Sequence, residues 1–168
     1  MRAIFAVIII FTISFGGPAL AARNEKINKL KKQIIEIQNS GKLGVRNLTL
    51  CLKIFGYGSY IPYNTNVVPK GKKAYIYFEP GNVFTSMSKG RYSFSIYEDI
   101  IITDSKGKVV IAKPKAASLA SNSKQPLFET YLRNSFHLNK PGDYIFKIVL
   151  YDELRGAKVE AEYPFTIK

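Results

Sequence analysis

Few side chains of this chain are of types that could carry out chemistry. The 168-residue sequence has one histidine, His137, and one cysteine, Cys51. A Ser-His-Asp or Cys-His site needs its histidine beside a nucleophile, whereas His137 stands in a strand-like run, Tyr131–Leu138. A zinc site built from histidine and cysteine alone is excluded by their number. We therefore predict no catalytic residue, no metal ligand, no cofactor and no enzymatic activity.

Two further patterns resemble catalytic motifs. Ser86–Lys89 and Ser121–Lys124 both match Ser-x-x-Lys, but they lie in loop-like sequence without the partner motifs that acylation needs. Glu160 and Glu162 share one face of a predicted strand. That arrangement suits a glycosidase pair or a calcium site, although a solvated strand face explains it more simply. A carboxylate-based hydrolase is therefore kept only as a third hypothesis.

Lysine is the abundant functional side chain. The sequence has 25 lysines and arginines against 12 acidic residues, a net charge of +13 and a pI of about 9.8. Such a balance favours contact with anionic surfaces through long-range attraction. We predict that two groups of lysines supply this contact: Lys26, Lys29, Lys31, Lys32, Lys70, Lys72 and Lys73.

The N-terminal sequence MRAIFAVIIIFTISFGGPALAA has the order of an export signal. A positive start precedes the apolar segment 3–15, Gly-Gly-Pro interrupts it, and small residues follow where a signal peptidase cleaves. We predict a signal peptide over residues 1–21 and a periplasmic or extracellular location. Residues 3–22 carry no charge and about 20 apolar residues can span a bilayer, so an uncleaved membrane anchor is the alternative.

Residues 22–43 predict a short basic amphipathic helix, with Asn24 as its N-cap. Apolar residues at spacings of 3, 4 and 3 form a narrow stripe on this helix: Ile27, Leu30, Ile34 and Ile37. Lys26, Lys29, Lys31 and Lys32 flank the stripe. A helix so short needs something to pack against. Docking on its own domain, self-association and lying on a membrane surface are three open interpretations.

Residues 45–168 show the period-two pattern of strands, beginning with Leu48, Leu50, Leu52 and Ile54. Turn signals separate seven or eight strands, including Tyr92–Thr103 and Leu127–Leu138, and Ala112–Lys124 is either a loop or an exposed edge. Parallel strands would need crossover helices, which this region lacks. We predict an all-β, antiparallel, immunoglobulin-like sandwich, with Cys51 buried in its first strand as a small hydrophobe.

Several short motifs resemble an uncharacterised family of exported bacterial immunoglobulin-like domains: Leu50-Cys51, Phe55-Gly56-Tyr57-Gly58, Pro69-Lys70-Gly71, Tyr75-Ile76-Tyr77-Phe78-Glu79 and Pro141-Gly142-Asp143-Tyr144. The resemblance extends over Leu48–Ile167 and implies the fold and export, without an active site to transfer. Family members often carry a second cysteine near the middle, where this chain has Ser121 and Ser123. No disulfide is therefore inferred.

These patterns together predict a non-catalytic exported module that binds a partner through its surface, with a protein or an anionic envelope component as the candidate partners. The alternative is an envelope-associated protein that contacts anionic lipid or wall polymer through its lysine-rich helix and basic face. Export disfavours nucleic acid as a partner, although the charge alone would permit it.

Overall fold

The computed structural model describes the backbone of residues 17–168 and the side chains of residues 21–168. The chain divides into two compact units, the first ending at Gln33 and the second comprising Ile34–Lys168. One α-helix, α1 (Gly17–Ser40), contributes residues to both units. The apolar segment 3–15, and with it most of the predicted signal peptide or anchor, lies outside the described residues. Among the described residues, no helix has the length and apolar character needed to cross a membrane.

Ten β-strands follow α1 and make up a two-sheet, sandwich-like domain; the described strands account for 58% of the 168 residues and the described helix for 14%. In chain order, the strands are β1 (Gly44–Gly56), β2 (Ser59–Pro62), β3 (Val67–Val68), β4 (Ala74–Gly81), β5 (Ser86–Ser88), β6 (Arg91–Asp104), β7 (Val109–Ser123), β8 (Leu132–Phe136), β9 (Gly142–Asp152) and β10 (Ala157–Ile167). The prediction of an all-β fold is confirmed. The strands beyond the seven or eight predicted are short ones, of two to four residues.

The small sheet has the strand order β2-β1-β4-β8. The large sheet has the order β3-β10-β9-β6-β5, and β7 pairs with β6 along the edge opposite to β9. Neighbouring strands are antiparallel, as predicted, apart from the two-residue strand β3, which lies parallel to β10. The strands β7 and β8 are therefore the outermost strands on one side of the two sheets.

The main core lies between the sheets and is built by alternation along the strands. In β6, Tyr92, Phe94 and Ile96 are buried, as predicted for one face, while their neighbours are partly exposed. Burying an apolar side chain of this size contributes about 1.5–3 kcal/mol. Side chains at most 1% exposed fill this core from both sheets: Leu50, Ile76, Phe78, Ile96, Ile102, Phe146, Ile148, Leu150, Phe165 and Ile167.

A second, smaller cluster covers the outer face of the small sheet. Tyr77 points away from the main core but has no exposed surface, because the β1–β2 hairpin folds over it. The Gly58 N–H donates to the Tyr77 hydroxyl at 2.8 Å, and the rings of Tyr60 and Tyr77 lie 4.5 Å apart. The Tyr77 hydroxyl donates in turn to Glu79 Oε1 at 2.7 Å.

Because of this hairpin, β1 does not follow the regular alternation of buried and exposed residues that was predicted for it. The pairing of β1 with β2 shifts register between Cys51 and Lys53, and again between Ile54 and Gly56. Each bulge turns the following side chains. Leu52 is therefore 49% exposed, whereas Cys51 and Ile54 are buried in the outer cluster rather than in the main core.

Among the other strand predictions, one of two alternatives is confirmed for the segment 112–124, and one strand needs a new boundary. The segment 112–124 is not a loop, since β7 continues to Ser123 as an exposed edge strand, which was the other predicted alternative. The predicted strand Leu127–Leu138 is shorter, because only β8 pairs with β4 and the residues before Leu132 connect the large sheet to the small one.

The predicted N-cap of the helix is wrong as well. Asn24 lies inside α1, which the structure describes from Gly17 onward. In the second unit, the buried helical residue is Ile35, whereas Ile34 and Ile37 of the predicted stripe are exposed. Docking of the helix on its own domain, one of the three open interpretations, therefore involves Ile35 rather than these two residues of the stripe.

Candidate functional site

The turn between β3 and β4 holds three of the predicted contact lysines, Lys70, Lys72 and Lys73, with their side chains exposed. Backbone hydrogen bonds hold this turn in place. The Gly71 N–H donates to the carbonyl of Leu138 at 2.9 Å, and the Lys72 N–H donates to that of Pro69 at 3.0 Å. Gly71 has a φ of 72°, a backbone conformation that favours glycine. The three ammonium groups therefore project from a fixed backbone.

Strand directions bring four more exposed lysines to the same end of the domain. Asp104, at the end of β6, pairs with Tyr144 near the start of β9, and Ile167 pairs with Gly142. The β6–β7 turn, the β8–β9 loop and the end of β10 therefore meet near the β3–β4 turn. We call this set the lysine end: Lys70, Lys72, Lys73, Lys106, Lys108, Lys140 and Lys168.

The lysine end has few acidic neighbours, and those are engaged locally. Asp104 Oδ1 accepts the backbone N–H groups of Lys106 and Lys108 at 2.9 and 3.0 Å. Asp143 Oδ1 accepts the Thr166 hydroxyl at 2.8 Å. The ion pairs of Lys147 and Lys158 with Glu160 and Glu162 lie on β9 and β10, away from these lysines. Seven positive charges therefore face solvent against two aspartates.

The remaining predicted lysines lie elsewhere. Lys26, Lys29, Lys31 and Lys32 are on α1 in the first compact unit. The structure thus places the seven predicted lysines in two units and adds four that sequence reasoning missed. Lys106, Lys108, Lys140 and Lys168 all stand in turns or at a strand end. In an antiparallel sheet successive turns alternate between the two ends, so counting the turns along the sequence could have placed these four lysines at the same end.

Glu160 and Glu162, the two carboxylates considered for hydrolysis, both form salt bridges with Lys147. Lys147 Nζ lies 2.5 Å from Glu160 and 3.8 Å from Glu162, so the two glutamates do share a face, as predicted. The hydrogen bond from Lys147 lowers the pKa of Glu160. A general acid needs a raised pKa, so Glu160 is not suited to be the proton donor of a glycosidase.

Glu98, a buried carboxyl group in β6, has a raised pKa where Glu160 has a lowered one. Glu98 has no exposed surface, and Asn134 Nδ2 donates to its two carboxyl oxygens at 3.0 and 3.1 Å. Burial raises the pKa of Glu98 to about 7, although the Asn134 hydrogen bonds oppose that rise. A substrate cannot reach a group that is enclosed in this way. Among residues 21–168, no three His, Cys, Asp or Glu side chains are grouped to hold a metal ion.

Cys51 is expected to be inert in the folded protein. It has no exposed surface, and burial raises the pKa of its thiol to about 11. Because the thiolate is the reactive form, a thiol reagent such as DTNB at about pH 8 should label the native protein slowly and the urea-unfolded protein at once. Equal labelling rates in the two states would contradict this expectation.

No protein-family model matches the chain, and no curated protein matches it. Several solved structures are similar over most of it. The alkylpurine DNA glycosylase AlkC of Pseudomonas fluorescens, bound to DNA with an abasic-site analogue, has 14% identity and a TM-score of 0.41. That match covers 89% of this chain but only 38% of the glycosylase chain.

Two smaller domains are also similar. The CARDB domain of a Pyrococcus furiosus protein, in complex with di-metal ions, has 13% identity and a TM-score of 0.38, with 73% of this chain and 91% of that chain covered. The soluble domain of PmoD from Methylocystis has 14% identity and a TM-score of 0.33, with coverages of 75% and 90%. At these identities and TM-scores, the likenesses indicate no function for this chain.

Proposed function

We propose that this protein is a non-catalytic, exported binding module of the cell envelope, with an immunoglobulin-like sandwich that contacts an anionic surface through the lysine end. The observation that carries the proposal is the segregation of seven exposed lysines at one end of the strands, with both nearby aspartates engaged locally. Export rests on the N-terminal sequence. A binding role without catalysis is supported by the inaccessible Glu98 and the charge-paired Glu160.

The clustering matters because screening limits the range of each charge. At physiological salt the Debye length is about 8 Å, so exposed charges act together on a partner only when they present one surface to it. Each lysine near an anionic membrane surface contributes about 1 kcal/mol. A phosphate-bearing polymer or an anionic lipid headgroup is therefore a fitting partner for the lysine end.

Reversing three charges at the lysine end should weaken this binding strongly. In the variant K70E/K72E/K73E, each change removes one attraction and adds one repulsion, so we expect affinity to fall about 100-fold or more. The measurement is sedimentation with vesicles containing phosphatidylglycerol, at graded salt, and retention on immobilised polyphosphate. Vesicles of phosphatidylcholine alone measure any binding by the apolar N-terminal segment.

The matched control is K42E/K89E/K124E, which reverses three exposed lysines at the opposite end of the strands and changes the net charge equally. It should retain most of the binding. If both triple variants lose affinity to the same extent, net charge rather than the lysine end is responsible. If wild-type binding is independent of salt, the electrostatic proposal is wrong.

The helical lysines are a second candidate surface, because α1 presents Lys26, Lys29 and Lys32 as exposed side chains. The variant K26E/K29E/K32E tests them in the same assays. Loss of binding in this variant with retention in K70E/K72E/K73E would assign the contact to the helix.

A further inference from the structure

The strand β7 presents the longest unpaired edge in the described part of the chain. Its 15 residues pair with β6 along one edge, and no described strand pairs with the other. The first half of β7 is protected, since it carries Lys113, Pro114 and Lys115, and Lys115 has a φ of 47° where the pairing with β6 shifts register. Residues 116–123 contain neither a proline nor a charged side chain. A free edge of this composition is a template on which another strand can add.

The opposite side of the large sheet is built differently. There β3 pairs with only two residues of β10, which leaves most of the outer edge of β10 without a described partner strand. That part of β10 carries Lys158, Glu160, Glu162 and Pro164. Charged side chains and proline are features that prevent an edge strand from pairing with another chain. The large sheet therefore has one protected edge and one bare edge, residues 116–123 of β7, that can accept a strand.

We propose that β7 pairs with β7 of a second copy of this chain, antiparallel and about a two-fold axis at Leu119, so that the two large sheets join edge to edge. Arg91 donates to the carbonyl of Asn122 at 2.5 Å, so the new ladder covers residues 117–121. A two-fold contact is self-complementary and closes the assembly at two copies, because each copy has used its bare edge. The outer edges of the joined sheet are then the protected edges of β10.

The side chains of the bare segment fit this register. Each copy places Ala117 opposite Ser121 of the other copy, and Ser118 opposite Ala120, so that small side chains meet on both faces. Leu119 packs against the main core. It meets its own counterpart at the axis, which adds an apolar cross-strand pair on the core side of the joined sheet.

Electrostatics also favours a second copy in this orientation. The flanking lysines, Lys115 and Lys124, lie opposite Ser123 and Pro114, so no two like charges are paired. The lysine end lies at the start of β7, ten residues and therefore about 30 Å from the axis. Antiparallel pairing holds the two lysine ends about 60 Å apart, far beyond the Debye length of about 8 Å. An acidic partner strand, by contrast, would meet no positive charge along residues 117–121.

The test uses the full chain in sedimentation-equilibrium measurements up to about 100 µM, where a short edge-to-edge contact should populate a dimer. We expect a species of twice the 18.9 kDa mass of the chain. S118K/A120K sets two pairs of like charges opposite each other at exposed positions, so dimer affinity should fall about 10-fold or more. S105K/A112K is the matched control, because it adds the same charge at exposed positions outside the pairing segment, and it should dimerise as the wild-type protein does. Thermal unfolding checks that each variant folds.

Mixing S118K/A120K with S118E/A120E tests the register itself. Each variant alone should dimerise weakly, whereas the mixture should restore dimers, because every like-charge pair becomes an opposite-charge pair. A monomeric wild-type protein at about 100 µM, dimers that S118K/A120K leaves unchanged, or a mixture that fails to associate would overturn the proposal. So would loss of dimers in L30K/I37K, since it would assign self-association to the apolar stripe of α1. Because the β7 edge and the lysine end are altered by different variants, failure of either proposal leaves the other intact.

Discussion

Replacing Glu98 with glutamine is expected to remove a fall in stability that the wild-type protein shows as the pH rises from about 5 to about 8. Burial raises the pKa of Glu98 to about 7 from an ordinary value of 4.5. The folded state therefore holds the proton more tightly than the unfolded state does. Stability linked to this proton is fully present below about pH 4.5 and is lost as the pH rises through about 7.

The size of the effect follows from that difference in pKa. One unit corresponds to about 1.4 kcal/mol, so the wild-type protein should lose about 3 kcal/mol across this range through Glu98 alone. Glutamine resembles the protonated carboxyl group and can still accept a hydrogen bond from Asn134. E98Q should therefore match the wild-type stability at about pH 5 and exceed it at about pH 8.

Urea unfolding of both proteins across the pH range measures the effect. Other groups titrate in the same range, so the quantity to compare is the difference between the two proteins at each pH. E160Q is the control, since Glu160 is an exposed partner of Lys147 and its pKa is lowered rather than raised. Parallel pH profiles for E98Q and the wild-type protein would show that Glu98 does not bind the proton in the folded state.

Replacing Asp152 with alanine is expected to lower the free energy of unfolding by about 3 kcal/mol, because it leaves two backbone donors without their charged acceptor. The side chain is 1% exposed. Its Oδ2 accepts the Phe84 N–H at 2.7 Å, and its Oδ1 accepts the Arg155 N–H at 3.0 Å. Asp152 thus joins the β4–β5 connection to the β9–β10 turn.

The β9–β10 turn, which Asp152 holds, also binds the end of α1 through Arg155. Arg155 donates to the carbonyl of Gly41 at 2.6 Å and to that of Asn39 at 3.0 Å, where α1 ends. Its guanidinium lies 5.4 Å from the centre of the Phe84 ring. Loss of Asp152 should therefore loosen three segments of the second unit together.

Urea unfolding at neutral pH checks this expectation. D143A is the matched control, since Asp143 is exposed and accepts one hydroxyl hydrogen bond at 2.8 Å; its loss should cost less than about 1 kcal/mol. D152N should be intermediate, because an amide can accept one of the two N–H groups. If D152A is no less stable than D143A, the two buried hydrogen bonds do not hold these segments.

Local features of the sequence were sufficient for the all-β fold, the antiparallel hairpins and the buried face of β6, because alternation and turn chemistry act over a few residues. Position 98 also follows Tyr92, Phe94 and Ile96 at steps of two, so its burial was readable in the sequence. Its hydrogen bonds from Asn134, 36 residues away, depend on how the two sheets face each other.

Tertiary structure alone decided the rest. The bulges that expose Leu52 and bury Ile54 arise because the β1–β2 hairpin folds back over Tyr77. Lys106, Lys108, Lys140 and Lys168 join the predicted Lys70, Lys72 and Lys73 because strand directions bring separate turns to one end. The free edge of β7 exists because no described strand follows it in the large sheet, and the edge of a sheet is a property of the whole topology rather than of any segment.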